Sequence, residues 1–276
     1  MDQQKDRTKK KYLLLIVIII LLSGCKPDIH QLTQDQDIQG LIDVLQNKNY
    51  QADAVDALVQ IGEPAIEPLI NNLSSSNELQ REGVIEALVQ IGDTDPMPIV
   101  TQIINTMINE TGWSEVGVEA VLSQLGEPAV ESCIFILNHT ASEKKQASTV
   151  RALGMTGCSQ ALDPLVQRLG GVDLDVREEA IHAIIKIVEG DSTKLADYLL
   201  KRETVRIYKV LIKLGDSCMI DELIVALNQF GNEYMALDYL NCGEKRLESA
   251  ATTWAHENGY YVYSTIGVGS ITWGSE

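Results

Sequence analysis

The sequence predicts an all-α fold: an α-solenoid of about six helical pairs, closed by a small C-terminal helical cap and a β-hairpin. Three observations carry this. The phrase ALVQIG stands at Ala57–Gly62 and again at Ala87–Gly92, 30 residues on. The phrase GEPA stands at Gly62–Ala65 and at Gly126–Ala129. Glycines that punctuate the apolar pattern fall at 62, 92, 126, 157, 190 and 215, spaced by 25 to 34 residues. Self-similarity at a period of about 20–50 residues marks a repeat architecture, in which each unit buries its apolar face against its neighbours.

Residues 1–24 are set apart from that fold. Lys5, Arg7, Lys9, Lys10 and Lys11 precede the apolar run Leu13–Leu22, and Ser23-Gly24-Cys25 follows it. A basic start, a short apolar run and small residues describe a secretory signal peptide. The run is 10 residues long, and a bilayer span needs about 20. Leu22-Ser23-Gly24-Cys25 resembles the lipobox of bacterial lipoproteins. That resemblance implies a diacylglyceryl group on Cys25, which becomes the first residue of the mature protein and its lipidation site. Residues 25–36 then read as a tether. Lys26 stands where many lipoproteins kept at the inner membrane of enteric bacteria carry Asp, which leans towards the outer membrane.

The solenoid is expected over residues 37–230. Ile38, Leu41, Ile42 and Leu45 form an opening helix at helical spacing. Ala54, Val55, Leu58 and Ile61 follow, and Gly62 ends them. Glu63-Pro64 then opens a second apolar stripe, Ile66, Leu69, Ile70 and Leu73. Glycine just past one helix and proline at the start of the next is the expected asymmetry. Neither helix is long enough to stand alone, so each needs a packed neighbour. Val84, Ile85, Leu88 and Ile91 precede Gly92 in the same way, with Ile99, Val100, Ile103, Ile104 and Met107 after Pro98. Val118 to Leu125 leads to Gly126, Val150 and Leu153 to Gly157, Val176 to Ile185 to Glu189-Gly190, and Val205 to Ile212 to Gly215.

Beyond residue 230 the pattern changes. Glu233–Leu240 and Glu244–His256 read as short helices ended by Asn241-Cys242-Gly243 and Asn258-Gly259. Tyr260–Ile266 and Ser270–Trp273 flank Gly267-Val268-Gly269, a hairpin signal. Residues 231–276 are therefore expected to cap the last apolar face, or to offer Tyr260, Tyr261, Tyr263 and Trp273 as an aromatic contact surface.

Ala57-Leu58, Ile61-Gly62, Ala65-Ile66 and Pro68-Leu69-Ile70, with Asp175-Val176-Arg177-Glu178-Glu179-Ala180, resemble the short HEAT-like repeats also called PBS-lyase HEAT repeats. The resemblance runs from about Ala54 to Phe230. Repeat three lacks the arginine of the pattern, and repeat five has Ile187-Val188 in place of Ile-Gly. Leu240–Tyr260, with Trp254-Ala255 and Gly259-Tyr260, resembles the tail of many bacterial HEAT-repeat proteins. The resemblance implies that the second helix of each pair lines an inner surface. The polar row there would be Glu67 and Asn71, then Gln102 and Asn105, then Glu131, then Gln167 and Arg168. This row is the candidate binding surface.

The chain carries a formal net charge of −17. Residues 1–24 hold five cations and two acids, so the remainder carries −20. Such a chain repels phosphate backbones, which argues against nucleic acid as a partner. Enzymes on this scaffold make demands that can be checked. Deoxyhypusine hydroxylases bind two irons through several His-Glu pairs. Only His256-Glu257 forms one here, since His30, His139 and His182 precede Gln31, Thr140 and Ala183. DNA glycosylases of this type need a basic face, and bilin lyases work inside the cell. No phosphate loop, nucleophile elbow or Cys-x-x-Cys motif occurs. His182 reads as a surface residue. Cys133, Cys158, Cys218 and Cys242 are even in number, so bridges are open in an oxidising space. Cys158 and Cys218 lie two repeats apart, about 20 Å at ordinary helix spacing, beyond the reach of about 7 Å. Cys133 with Cys158 stays open; free thiols are the favoured reading, with Cys133 as a small hydrophobe.

The reading is a non-catalytic, lipid-anchored protein–protein interaction scaffold of the bacterial cell envelope, with no cofactor and no metal. Its partner would be a basic or neutral polypeptide, bound in a salt-sensitive way. The alternative is an enzyme or enzyme accessory related to PBS-lyase-type HEAT proteins.

Overall fold

A computed structural model describes residues 27–109, 114–189, 191–199, 206–265 and 268–273. The expected signal peptide, Cys25, Lys26, Gly190, Val205, Ile266 and Gly267 lie outside the described residues. In chain order the helices are α1 (Ile29–Gln34), α2 (Ile38–Val44), α3 (Gln51–Ile61), α4 (Glu63–Asn71), α5 (Glu78–Gly92), α6 (Met97–Asn109), α7 (Glu115–Leu125) and α8 (Glu127–His139). There follow α9 (Glu143–Met155), α10 (Leu162–Arg168), α11 (Leu174–Val188), α12 (Ala196–Leu199), α13 (Ile207–Leu214), α14 (Ile220–Phe230), α15 (Glu233–Leu240) and α16 (Lys245–Glu257). Strands β1 (Tyr260–Thr265) and β2 (Val268–Trp273) close the described chain.

The helices stack as an all-α solenoid in two rows. First helices pack in sequence, α3 on α5, α5 on α7, α7 on α9, α9 on α11, α11 on α13. Second helices do likewise, α4 on α6 and α6 on α8. The six expected pairs are extended at both ends. Within the segment expected as a tether, α1 is helical and packs on α3, while α2 packs on α4. Past residue 230, α15 packs on α13 and α16 on α14, so the cap continues both rows. The hairpin then covers this last pair, β1 against α16 and β2 against α15. Trp254 of α16 stacks on Tyr260 at 5.8 Å between ring centres. The strands are antiparallel, with Thr265 opposite Val268.

Local sequence explains most boundaries. Asp37, Asn77, Ser114, Ser142, Asp173 and Asn232 cap helix starts, each side chain accepting from a backbone N–H in the first turn. Such caps satisfy donors that have no partner within the helix. α4 and α8 lack a side-chain cap and have proline in the first turn instead, where its missing N–H costs nothing. Turns inside the pairs repeat one device, a residue with positive φ. Gln36, Gly62, Gly126, Gly157, Glu189, Gly215 and Gly243 supply it. In the repeat without Ile-Gly, Glu189 itself adopts the left-handed conformation, at φ 49° and ψ 40°.

One expected turn is different. Gly92, the last letter of the second ALVQIG, is buried inside α5, and Asp93 follows it in right-handed conformation. The phrase at Gly62 runs straight into Glu63-Pro64 and must reverse at once. The phrase at Gly92 has the longer linker Asp93–Pro96 before α6, so its helix runs on through the glycine. Space there is tight: a Cβ would lie 2.5 Å from Leu125 Cδ2 and 3.1 Å from Ile99 Cδ1, so those side-chain ends would have to shift.

The apolar stripes named from the sequence form one continuous core. Leu41, Leu58, Leu69, Leu88, Ile103, Leu122, Leu153, Leu165, Ile184, Leu211 and Leu227 are buried. Ile38, Ile61, Ile85, Ile91 and Ile212 lie at the stripe margins and are partly buried.

Candidate functional site

Glu67 and Asn71 project from α4, Gln102 and Asn105 from α6, Glu131 from α8, and Gln167 and Arg168 from α10. Glu67, Asn71, Glu131 and Gln167 are exposed, and Gln102, Asn105 and Arg168 are half-buried. Glu67 and Gln102 meet in one cleft of about 620 Å³ between α4 and α6. Glu63 and Asp95 also line it, over an apolar floor of Ile66, Met97 and Pro98. Asp95 is fixed, its Oδ1 accepting from Met97 N at 3.0 Å. The cleft therefore combines three carboxylates, an amide and apolar surface. Asn71 and Asn105 lie one turn further along the same two helices. Glu131 belongs to the next helix of the row. Arg168 is engaged elsewhere, its Nη2 donating to Asn138 Oδ1 at 3.1 Å, and its Nε is buried without a hydrogen-bond partner among the described residues.

The first helices carry a second polar surface that the sequence reading passed over. Arg151 of α9 grips Glu179 of α11 with two donors, Nε to Oε2 at 3.1 Å and Nη2 to Oε1. Lys213 Nζ of α13 reaches Glu178 Oε2 of α11 at 2.8 Å. Lys186 Nζ of α11 reaches Glu119 Oε2 of α7 at 2.6 Å, across the intervening α9. Between them α9 packs close on α11 at Gly154, where a Cβ would stand 2.6 Å from Ala183 Cβ and 2.7 Å from Ala183 Cα. Gly154 floors a trough of about 510 Å³ between α7 and α11. His182 stands exposed at its rim. A signal for this face was present: Arg151 follows Val150 as Arg177 follows Val176. These pairs are half-exposed. Each contributes at most about 1 kcal/mol.

Cys133, Cys158, Cys218 and Cys242 are free thiols. Cys133 is fully buried, and burial pushes its thiol up to about 12. Ser192, buried, donates to Asp216 Oδ2 at 2.7 Å, and Asp216 is held below the usual carboxylate range by the Cys218 backbone N–H and the Ser192 hydroxyl. This ties the 3₁₀ turn Ser192–Leu195 to the turn Ser217–Met219. Among the described residues, no group of three His, Cys, Asp or Glu side chains is placed to hold a metal ion. Nor is any single helix long and apolar enough to cross a membrane.

The PBS lyase HEAT-like repeat family model matches residues 51–75, which take in α3, the Gly62 turn and α4. This supports a HEAT-repeat protein, and the stacked pairs on either side carry the same architecture along the chain. Comparison with curated proteins gives no match.

Proposed function

We propose that this helical-repeat scaffold is a non-catalytic protein-binding module, held at a bacterial envelope membrane by lipid on Cys25, that takes a basic polypeptide in the cleft between α4 and α6. The cleft carries the reading: Glu63, Glu67 and Asp95 surround an apolar floor with Gln102 beside them. Carboxylates suit lysine and arginine heads, and the floor suits their methylene stems. The chain's charge of −17 adds long-range attraction for a basic partner, which salt screens. Attachment rests on the sequence order before Cys25. Two or more acyl chains, at about 0.8 kcal/mol per buried CH₂, give stable anchoring.

The test uses a fluorescein-labelled peptide of alternating Lys and Leu and reads its anisotropy. Binding should weaken as salt rises. Glu67→Lys with Gln102→Lys should weaken it about tenfold or more without loss of helical circular dichroism. Unchanged binding by that variant would remove the cleft from the proposal. In cells, Cys25→Ser should abolish incorporation of labelled fatty acid; normal labelling of that variant would remove the anchor.

A further inference from the structure

We infer a second binding site, of opposite sign, on the first-helix row where α11, α13 and α15 meet: an open cavity that takes an acidic peptide carrying apolar side chains. The cavity holds about 520 Å³. Arg177 of α11 and Arg206, at the start of α13, both line it. Their guanidinium groups converge on one carbonyl: Arg177 Nη1 donates to Gly171 O at 3.4 Å, and Arg206 Nη1 donates to Gly171 O at 3.5 Å and Leu169 O at 3.3 Å. The other charges at the cavity cancel. Lys209 pairs with Asp238 at 3.1 Å, and Glu178 pairs with Lys213 at 2.8 Å. Among the described residues neither arginine has a carboxylate partner. Two guanidinium groups thus remain as a local excess of positive charge in a strongly acidic chain.

An arginine fork offers five donors and matches a carboxylate bidentately. Carbonyl anchoring of one nitrogen on each arginine holds the rest in place, so little side-chain entropy is lost on binding. The rim decides what carries the carboxylate. Leu174 is 65% exposed and Tyr234 67% exposed, both lining the cavity, with buried Ile181 and Tyr208 beneath. An inorganic anion would leave that rim uncovered. A membrane of anionic lipid would be repelled by the chain as a whole. A peptide segment that alternates Glu or Asp with Leu or an aromatic residue satisfies both parts. The site shares no residue with the acidic cleft on α4 and α6, so each can fail alone.

The experiment titrates a fluorescein-labelled peptide of alternating Glu and Leu into the full chain. A matched peptide of Gln and Leu should bind about tenfold more weakly or worse. Arg177→Gln with Arg206→Gln should give a similar loss, with the melting temperature checked in parallel. Should that variant unfold, Leu174→Ser with Tyr234→Ser, both on exposed side chains, reads the same contact and should weaken binding several-fold. Equal binding of the two peptides, or undiminished binding by a folded double-arginine variant, overturns the site. Displacement by millimolar inorganic phosphate together with no effect of Leu174→Ser and Tyr234→Ser makes it a bare anion site and overturns the peptide assignment.

Discussion

At the scale of single residues, two glycines that end the same six-residue phrase do different work. Gly62 sits at φ 72° and ψ −131°, a region closed to side-chain-bearing residues. A Cβ there would find space, its nearest neighbour being Val59 O at 3.9 Å. Gly62→Ala should therefore cost about 1–3 kcal/mol through backbone strain alone. Gly92→Ala should cost less, within about 1 kcal/mol, because a Cβ there meets only the side-chain ends of Leu125 and Ile99 and alanine favours the helix. Urea melts of a double-mutant cycle separate the two. Leu125→Val should relieve Gly92→Ala and leave Gly62→Ala unrelieved; the same coupling at both positions would refute the distinction. The cysteines allow a second measurement. Cys133 is buried with its thiol pushed up to about 12, whereas Cys218 is exposed. The thiolate is the reactive form. Mass spectrometry after brief alkylation of the native chain should find Cys218 modified and Cys133 intact until denaturant is added. Early modification of Cys133 would show that the α8 core opens readily.

Among the elements, the junction of α13 and α15 should be sensitive to alkali. Tyr208 is buried and donates to Asp238 Oδ2 at 2.6 Å; burial first, then that hydrogen bond, pushes its hydroxyl far above the usual tyrosine range. Tyr239, fully buried 5.8 Å away, donates to Leu223 O and is pushed the same way, by burial first. An unfolded tyrosine titrates at about 10. Below that pH both states keep the proton and the contribution is complete. Above it the unfolded chain releases protons that the folded chain retains, so stability falls as pH rises. Urea midpoints should drop steadily above about pH 10. Tyr208→Phe should cost about 1–2 kcal/mol at neutral pH and flatten the alkaline slope. An unchanged slope would place the titration elsewhere.

Taken as a whole molecule, the chain beyond residue 24 must tolerate its own charge of −20. Its cross-helix ion pairs are half-exposed, as with Arg151–Glu179 and Lys186–Glu119, so each adds at most about 1 kcal/mol and weakens in salt. Self-repulsion among excess carboxylates acts over the full length and is screened by the same salt. The excess of acid over base is the larger effect. The melting temperature should thus rise as sodium chloride is raised from low to physiological strength, and a fall would mean that the ion pairs dominate.

The sequence by itself determined the repeat. Apolar stripes at 3.6-residue spacing, Gly-Glu-Pro turns and side-chain caps are local, and each specifies its helix without reference to distant residues. Both ends of the stack were less legible. α1 has no buried residue of its own, and α15 shows only a short stripe, so their place in the rows came from packing on α3 and α13. The polar row at Glu67 and Gln102 was legible because outward positions follow from helical period. The tertiary structure alone decided which outward residues meet. It brought Arg177 and Arg206, 29 positions apart in the sequence, onto the carbonyl of Gly171, and set α9 close on α11 with Lys186 reaching beyond it to Glu119. The physical reason is distance. A stripe is fixed within one helix, whereas a site is fixed by how closely helices approach, and that depends on side chains as small as Gly154 and Ala183 lying opposite one another.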